Sequence, residues 1–310
     1  MRGYLIGAGG WAYFQVPGMH PLVAYSKAFN FVEVNSTFYQ MPPLKEVENW
    51  RRLVPTVFQF AVRANRRITH ELKLEPSPEA LVTFELMKQI CDVLKADILH
   101  FQVPPSVSRS QTFSHKLKDF LGSVNPEGLR LALEIRGISA PKLPSELVKV
   151  MQDHNVVHCV DLSRGETPAF ENDILYSRLF GKGYHNVYQP TDEELVEIDR
   201  KAMSSAFQKI VMSFHFVKMY KDAARLKIYK QTGKFPKVTR ETGFASLDEV
   251  LREDAKFPAS KEELVNAQGW KVFDLTEDKR MLAKDYLQKL PERTYNNVSD
   301  VIETLRSVVE

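Results

Sequence analysis

Residues 32–43 read VEVNSTFYQMPP and set Glu33, Asn35 and Thr37 at alternate positions of a run that is otherwise β-branched and apolar. Side chains on a strand repeat with period two, so Glu33 and Asn35 share one face. A carboxylate on a buried face needs a partner or a ligand, because an unpaired buried charge is costly. The same device recurs along the chain. Glu134 and Arg136 stand in LALEIRG, His100 and Gln102 in ILHFQV, and Arg63 closes FQFAVR shortly before His70 in the ITH segment. Asp161 ends VVHCVD, Arg178 lies in ILYSRLF, and His215 closes KIVMSFH. The guanidinium forks of Arg63, Arg136 and Arg178 suit phosphate or carboxylate, whereas Glu33, Glu134 and Asp161 suit proton transfer or a metal. The expected chemistry is therefore performed on an anion. Glu33, Glu134 and Asp161 are the candidate catalytic groups, and Asn35, Tyr39, Arg63, His70, Gln102, Arg136, Arg178 and Trp11 the candidate ligand-binding groups. A plain structural alternative stands beside each, such as an internal ion pair of Glu134 with Arg136 or Arg178.

Other chemistries find less support. His70, His100, His158, His185 and His215 are available to a divalent metal, yet no HxH or HExxH spacing selects among them. No cofactor signature is evident: IGAGGWAY is neither GxGxxG nor GxxxxGK[ST], and its glycines read as a place where backbone approaches a ligand. Trp11 and Tyr13 would wall that ligand, or Trp11 would simply pack beneath the next helix. No GxSxG stands at a strand-to-helix turn. Cys91 and Cys159 lie far apart without CxxC spacing, which reads as two buried free thiols. The stretch 218–240 carries eight Lys/Arg against one Asp. That pattern suits a nucleic-acid backbone, and equally a solvated helix face. No window approaches the ~18 consecutive apolar residues of a membrane span, and no leader pattern opens the chain, so a cytoplasmic protein without membrane partner is expected. The oligomeric state has no sequence signal.

These groups need elements to hold them. Eight short apolar runs, at 4–9, 31–36, 58–63, 97–103, 129–135, 156–162, 174–180 and 209–215, alternate with helical patterns. Most are almost continuously apolar, as strands covered on both sides require. Ser77-Pro78 marks one helix start, Thr191 with Glu194 forms a capping box, and Ser145 is read as a cap. The connection SRGETPAFEND is too short for a helix. The alternation predicts an α/β fold, a (β/α)8 TIM-type barrel, whose polar strand ends would line one rim. The barrel is expected over 1–231, followed at 232–310 by a linker and a small helical appendage with boxes at Ser246/Glu249 and Ser260/Glu263.

IGAGGWAY, FVEVNSTFYQMPP, FQFAVRANRRITHE, FQVPPS, LALEIRG, CVDLS and YSRLFG followed by Tyr188 together resemble the YecE-like family, catalogued as domain of unknown function 72. The resemblance spans roughly 4–230 and implies a TIM-type barrel without an established activity. Where relatives carry a histidine and a tryptophan after strand five, this chain has Gly137 and Ala140, and Phe180 replaces a histidine after strand seven. The tail is similar to a small helical module of unknown function. Two functions fit these residues: hydrolysis of a phosphoester or nucleic acid at the barrel mouth, or non-catalytic binding of an anionic metabolite or nucleic-acid end.

Overall fold

The computed structural model describes residues 3–204 and 207–309. Eight parallel strands form one sheet: β1 Gly3–Ala8, β2 Phe31–Val34, β3 Gln59–Arg63, β4 Ile98–Val103, β5 Arg130–Ile135, β6 Val157–Cys159, β7 Ile174–Leu179 and β8 Lys209–Phe214. Their order, β6-β5-β4-β3-β2-β1-β8-β7, curls into a nearly closed barrel. The remaining seam is bridged at Val160, whose N–H donates to the Tyr176 carbonyl at 3.2 Å while Arg178 N–H donates to the Val160 carbonyl at 3.1 Å. The eight expected strands are thus the eight observed, within a residue or two at their ends except for β6, which stops three residues short of the expected 162.

The interior changes character along each strand. Phe31, Ala61, Ile98, Ala132, Val157, Ile174 and Val211 share one apolar cluster. Two residues further on, period two brings Glu33, Arg63, His100, Glu134, Cys159, Tyr176 and Ser213 onto the same inward row. The register sets Arg63 level with His100 and Glu134 level with Cys159, while Glu33 stands level with Ala61 of the apolar cluster. The barrel is therefore filled by hydrocarbon at one end and by polar groups toward the end where barrel enzymes carry their sites.

Helices form where the caps are sound. Ser77 Oγ accepts the Ala80 N–H at 3.3 Å and Pro78 opens the helix Pro78–Leu94. Between β6 and β7 only the short turn Leu162–Arg164 forms, as the length of that connection requires. Ser145 is not a cap: Pro144 takes the cap position and Ser145 is the first residue of Ser145–Asp153.

Residues divide into two compact units, the first running to Leu179 and including Lys201–His215, the second comprising Phe180–Arg200 and the chain from Phe216 onward. The whole sheet lies in the first. In the second, the helices Met219–Thr232, Gly243–Arg252, Lys261–Gln268 and Val298–Val309 are joined by two short antiparallel pairs, Val272–Asp274 with Arg280–Leu282 and Ala259–Ser260 with Thr294–Tyr295. Those strands are too short to show a period in sequence. Leu247, Leu251, Phe273, Leu287, Val301 and Leu305 belong to a core of their own. The capping boxes at Thr191/Glu194 and Ser260/Glu263 form with both reciprocal hydrogen bonds. The one read at Ser246 does not: the helix begins at Gly243, so Ser246 is already inside it, and its hydroxyl accepts the Asp274 N–H at 2.8 Å. Much of the basic stretch is neutralised internally. Lys218 and Lys221 pair with Glu253, Arg225 with Asp192 and Asp222, Lys230 with Asp199, and Lys237 with Glu277. Among the described residues no helix is long and apolar enough to cross a membrane.

One hydroxyl joins β1 to β2. These strands share only two partner pairs, and the Tyr25 hydroxyl between them accepts the Ala8 N–H at 2.7 Å and donates to the Phe31 carbonyl at 2.8 Å. It passes where Gly7 has no side chain, since a Cβ there would stand 1.9 Å from the Phe31 oxygen and 2.7 Å from the Tyr25 hydroxyl. Tyr25→Phe strips a buried N–H of its acceptor and should cost about 1–3 kcal/mol in urea unfolding without changing the m-value.

Candidate functional site

Arg178, on β7 and 2% exposed, is the node of the polar layer. Its Nε donates to both Glu33 oxygens at 3.1 Å, and its Nη2 lies 3.0 Å from Glu33 Oε1. Its Nη1 donates to Glu134 Oε2 and, at 3.3 Å, to Gln102 Oε1. Glu33 is fully buried and held on further sides: the Tyr176 hydroxyl donates to Oε2 at 2.6 Å, and His215 Nε2 stands 3.4 Å from Oε1. Glu134 uses its other oxygen for Arg136, whose Nε donates at 2.6 Å. Arg63 donates from Nη2 to Gln102 Oε1 at 2.5 Å and more weakly to Asn35 Oδ1 at 3.4 Å, with its guanidinium 3.6 Å above the Phe38 ring. Asn35 in turn donates to the Gly9 carbonyl at 3.0 Å. A Cβ on Gly9 would stand 2.6 Å from Asn35 Nδ2 and 2.2 Å from the His215 ring, so glycine is required for that approach.

The electrostatics follow from these contacts. Burial alone would raise the carboxyls of Glu33 and Glu134, but Arg178 in both cases, with His215 for Glu33 and His100 and Arg136 for Glu134, holds them well below the usual range. Burial opposes the charge on Arg178, and the two carboxylates outweigh it, so its pKa is raised. Arg63 has the opposite fate: burial and the neighbouring Arg178 depress it to about 10 despite Glu33 and Glu134. Burial, then Arg178, pushes His215 down to about 4. Burial lowers His70 as well, helped by Arg63, Arg66 and Arg136. The layer thus holds three guanidinium groups against two carboxylates, with its imidazoles neutral at pH 7.

The structure brings Glu33, Asn35, Arg63, Gln102, Glu134, Arg136 and Arg178 into one network, and the Tyr39 and His70 rings each lie 5.0 Å from the Phe38 ring on which Arg63 rests. Trp11, half-buried, meets Trp50 edge-on at 5.2 Å. Asp161 is engaged by the turn after β6, accepting the Ser163 N–H at 2.9 Å and pairing with Arg164 at 3.3 Å. Tyr176 and Ser213 were not singled out from the sequence. Each lies two positions before a residue that was, Arg178 and His215, and that spacing is the signal that finds them.

The profile of the family described as "Protein of unknown function DUF72" matches residues 5–232. The chain belongs to that family. The YecE-like resemblance read from the sequence is to this same family. A curated relative, the UPF0759 protein YunF of Bacillus subtilis (strain 168), is 26% identical over 159 residues, 45% of this chain and 51% of its own length. The chain therefore spans about half the length of that relative. Among solved structures, a DUF72 family protein from Enterococcus faecalis V583 superposes with a TM-score of 0.60 at 17% identity, over 75% of this chain and 98% of that one. One from Thermotoga maritima MSB8 gives 0.59 at 18% identity, over 74% and 99%. These likenesses concern the fold. Within the DUF72 barrel seen here, Gly137 has a positive φ of 90°, and a Cβ would stand 2.9 Å from Pro105. A side chain at this position would not fit the loop without a shift.

Arg178→Met leaves buried Glu33 without its cation and Glu134 with Arg136 alone, and should cost about 3–5 kcal/mol in urea unfolding, or prevent folding. Stability should also depend on acid. The unfolded chain protonates His215 near its ordinary pKa and the folded chain only near 4, so the unfolded state binds more protons between the two and stability falls as the pH drops through that window. The full loss is roughly 3 kcal/mol, and His215→Gln should flatten the slope measured by urea unfolding between pH 7 and 5.

Proposed function

We propose that the barrel mouth binds a small anion, a phosphate or carboxylate group, through Arg63 and Arg136 with His70 and Asn35 beside them. The observation that carries this reading is the state of Arg63. It is 8% exposed, its Nε has no hydrogen-bond partner, and its charge is opposed by burial and by Arg178. A buried guanidinium left over after two carboxylates are matched is a cost to the folded chain, and an anion arriving between Arg63 and Arg136 removes it. Glu33 acts as the fixed counter-ion of Arg178, not as a base: its oxygens are fully engaged, and a carboxylate held far below pH 7 accepts protons poorly. The geometry thus favours a binding protein for a small anionic metabolite over a carboxylate-driven hydrolase. The pairing of Lys218, Lys221, Arg225, Lys230 and Lys237 with carboxylates also favours a small ligand over a long nucleic-acid backbone.

Inorganic phosphate and a panel of small carboxylates and phosphate monoesters, titrated into the full chain, should include at least one that raises the melting temperature saturably. At a hundredfold excess over Kd the stabilisation is about 2.7 kcal/mol. Arg136→Ala, at a half-exposed position where folding is spared, should abolish that rise. No saturable ligand in the panel, or an effect that survives Arg136→Ala, would reject the reading.

A further inference from the structure

Level with Arg63, whose register partner is His100, the barrel interior holds a second group of metal-ligating side chains. One ligand atom each from His100, Glu134 and Cys159 lie within 4.8 Å of one another. Glu134 and Cys159 are register partners on adjacent strands, and the His100 ring is held flat against Tyr176, centroids 5.6 Å apart at 8°. His100 is fully buried, and neither ring nitrogen has a hydrogen-bond partner. Its Nε2 faces Glu134 Oε2 in a long contact of 3.4 Å, and Nδ1 has no partner. Buried polar atoms almost always find a close partner, so an imidazole satisfied this poorly, beside a carboxylate and a thiol, points to a ligand.

We propose that His100, Glu134 and Cys159 form a binding site for zinc or a similar borderline divalent cation. Imidazole nitrogen, carboxylate oxygen and thiolate sulfur are together a zinc donor set, and the sulfur and nitrogen disfavour calcium and magnesium. Zinc bond lengths of about 2.0–2.3 Å put tetrahedral donors roughly 3.5 Å apart, so the three side chains need to close by little more than an ångström. The Cys159 thiolate offsets one of the two charges that zinc brings, and Glu134 is the carboxylate nearest the other. Arg178 stays on Glu134, whose oxygens each have a second lone pair for a metal. On binding, the S–H bond of Cys159 breaks, its electron pair goes to the metal, and the proton leaves to solvent; His100 binds as the neutral imidazole. Three protein ligands leave a fourth position for water or for a ligand group.

The test uses untagged, metal-free full-length protein titrated with cobalt(II) and then zinc(II), with no anionic ligand present, so that it stands apart from the anion reading. One equivalent of cobalt should bind with a thiolate-to-metal charge-transfer band, and zinc should displace it. Affinity should rise roughly tenfold per pH unit for the single released proton. Cys159→Ser should abolish the band, His100→Gln should weaken binding at least tenfold, and Cys91→Ala should leave both unchanged. Because the wild-type spectrum reads the site directly, the result does not hang on whether a variant folds. Absence of stoichiometric cobalt binding, binding without the charge-transfer band, or a band that survives Cys159→Ser but not Cys91→Ala would overturn the proposal.

Discussion

The buried guanidinium of Arg178 sets the terms for everything around it. It reaches from β7 to Glu33 on β2 and Glu134 on β5, so a single cation ties together strands on different sides of the ring. Tyr176, His215 and Gln102 complete its shell by hydrogen bonding or facing the same acceptors. Such a cluster is a demanding way to fill a barrel, since an apolar set of the same volume would serve stability at least as well. A polar interior of this kind is intelligible as the foundation of a site: it fixes the rims of several strands relative to one another through directed contacts, whereas hydrocarbon packing tolerates small slips.

From that fixed core the mouth inherits its charge. Two carboxylates match Arg178 and Arg136, and Arg63 is left with a carboxamide, a ring face and its position beside another cation. His70 is lowered by burial and then by the field of three arginines, and stays neutral at pH 7. One guanidinium of the mouth is thus left without a carboxylate, and the same accounting leaves Glu33 paired with Arg178. On the strand neighbouring that of Arg63, the poorly satisfied imidazole of His100 is a separate imbalance, one of hydrogen bonding and not of charge.

The fold was legible because alternation changes along each strand. A run such as FVEVN passes from Phe31 through Glu33 to Asn35 on one face, and LALEIR from Ala132 through Glu134 to Arg136, so hydrocarbon floor and polar rim can both be read from period two. The partners of the charges were less legible. Tyr176 looks like ordinary core aromatic residue in ILYSRLF, and only the contact with Glu33 across the ring gives it a role. Which arginine would be matched and which left over depends on side-chain reach across the barrel, which no local pattern encodes. Serines misled as caps for a local reason: Pro144 already supplies the extended cap conformation before Ser145, and the helix containing Ser246 starts three residues earlier at Gly243. The short antiparallel pairs of the second unit are two and three residues long, below the length at which alternation can be recognised.

The central claim is that Arg63 and Arg136 form an anion site left open by the pairing of Arg178. Its most direct test is a crystal of the chain soaked in tungstate, an anomalous scatterer with the charge and shape class of phosphate. The account predicts the strongest anomalous peak at the barrel mouth, within hydrogen-bonding reach of Arg63 Nε and the Arg136 guanidinium. Peaks confined to surface lysines, with the mouth occupied only by water, would contradict it.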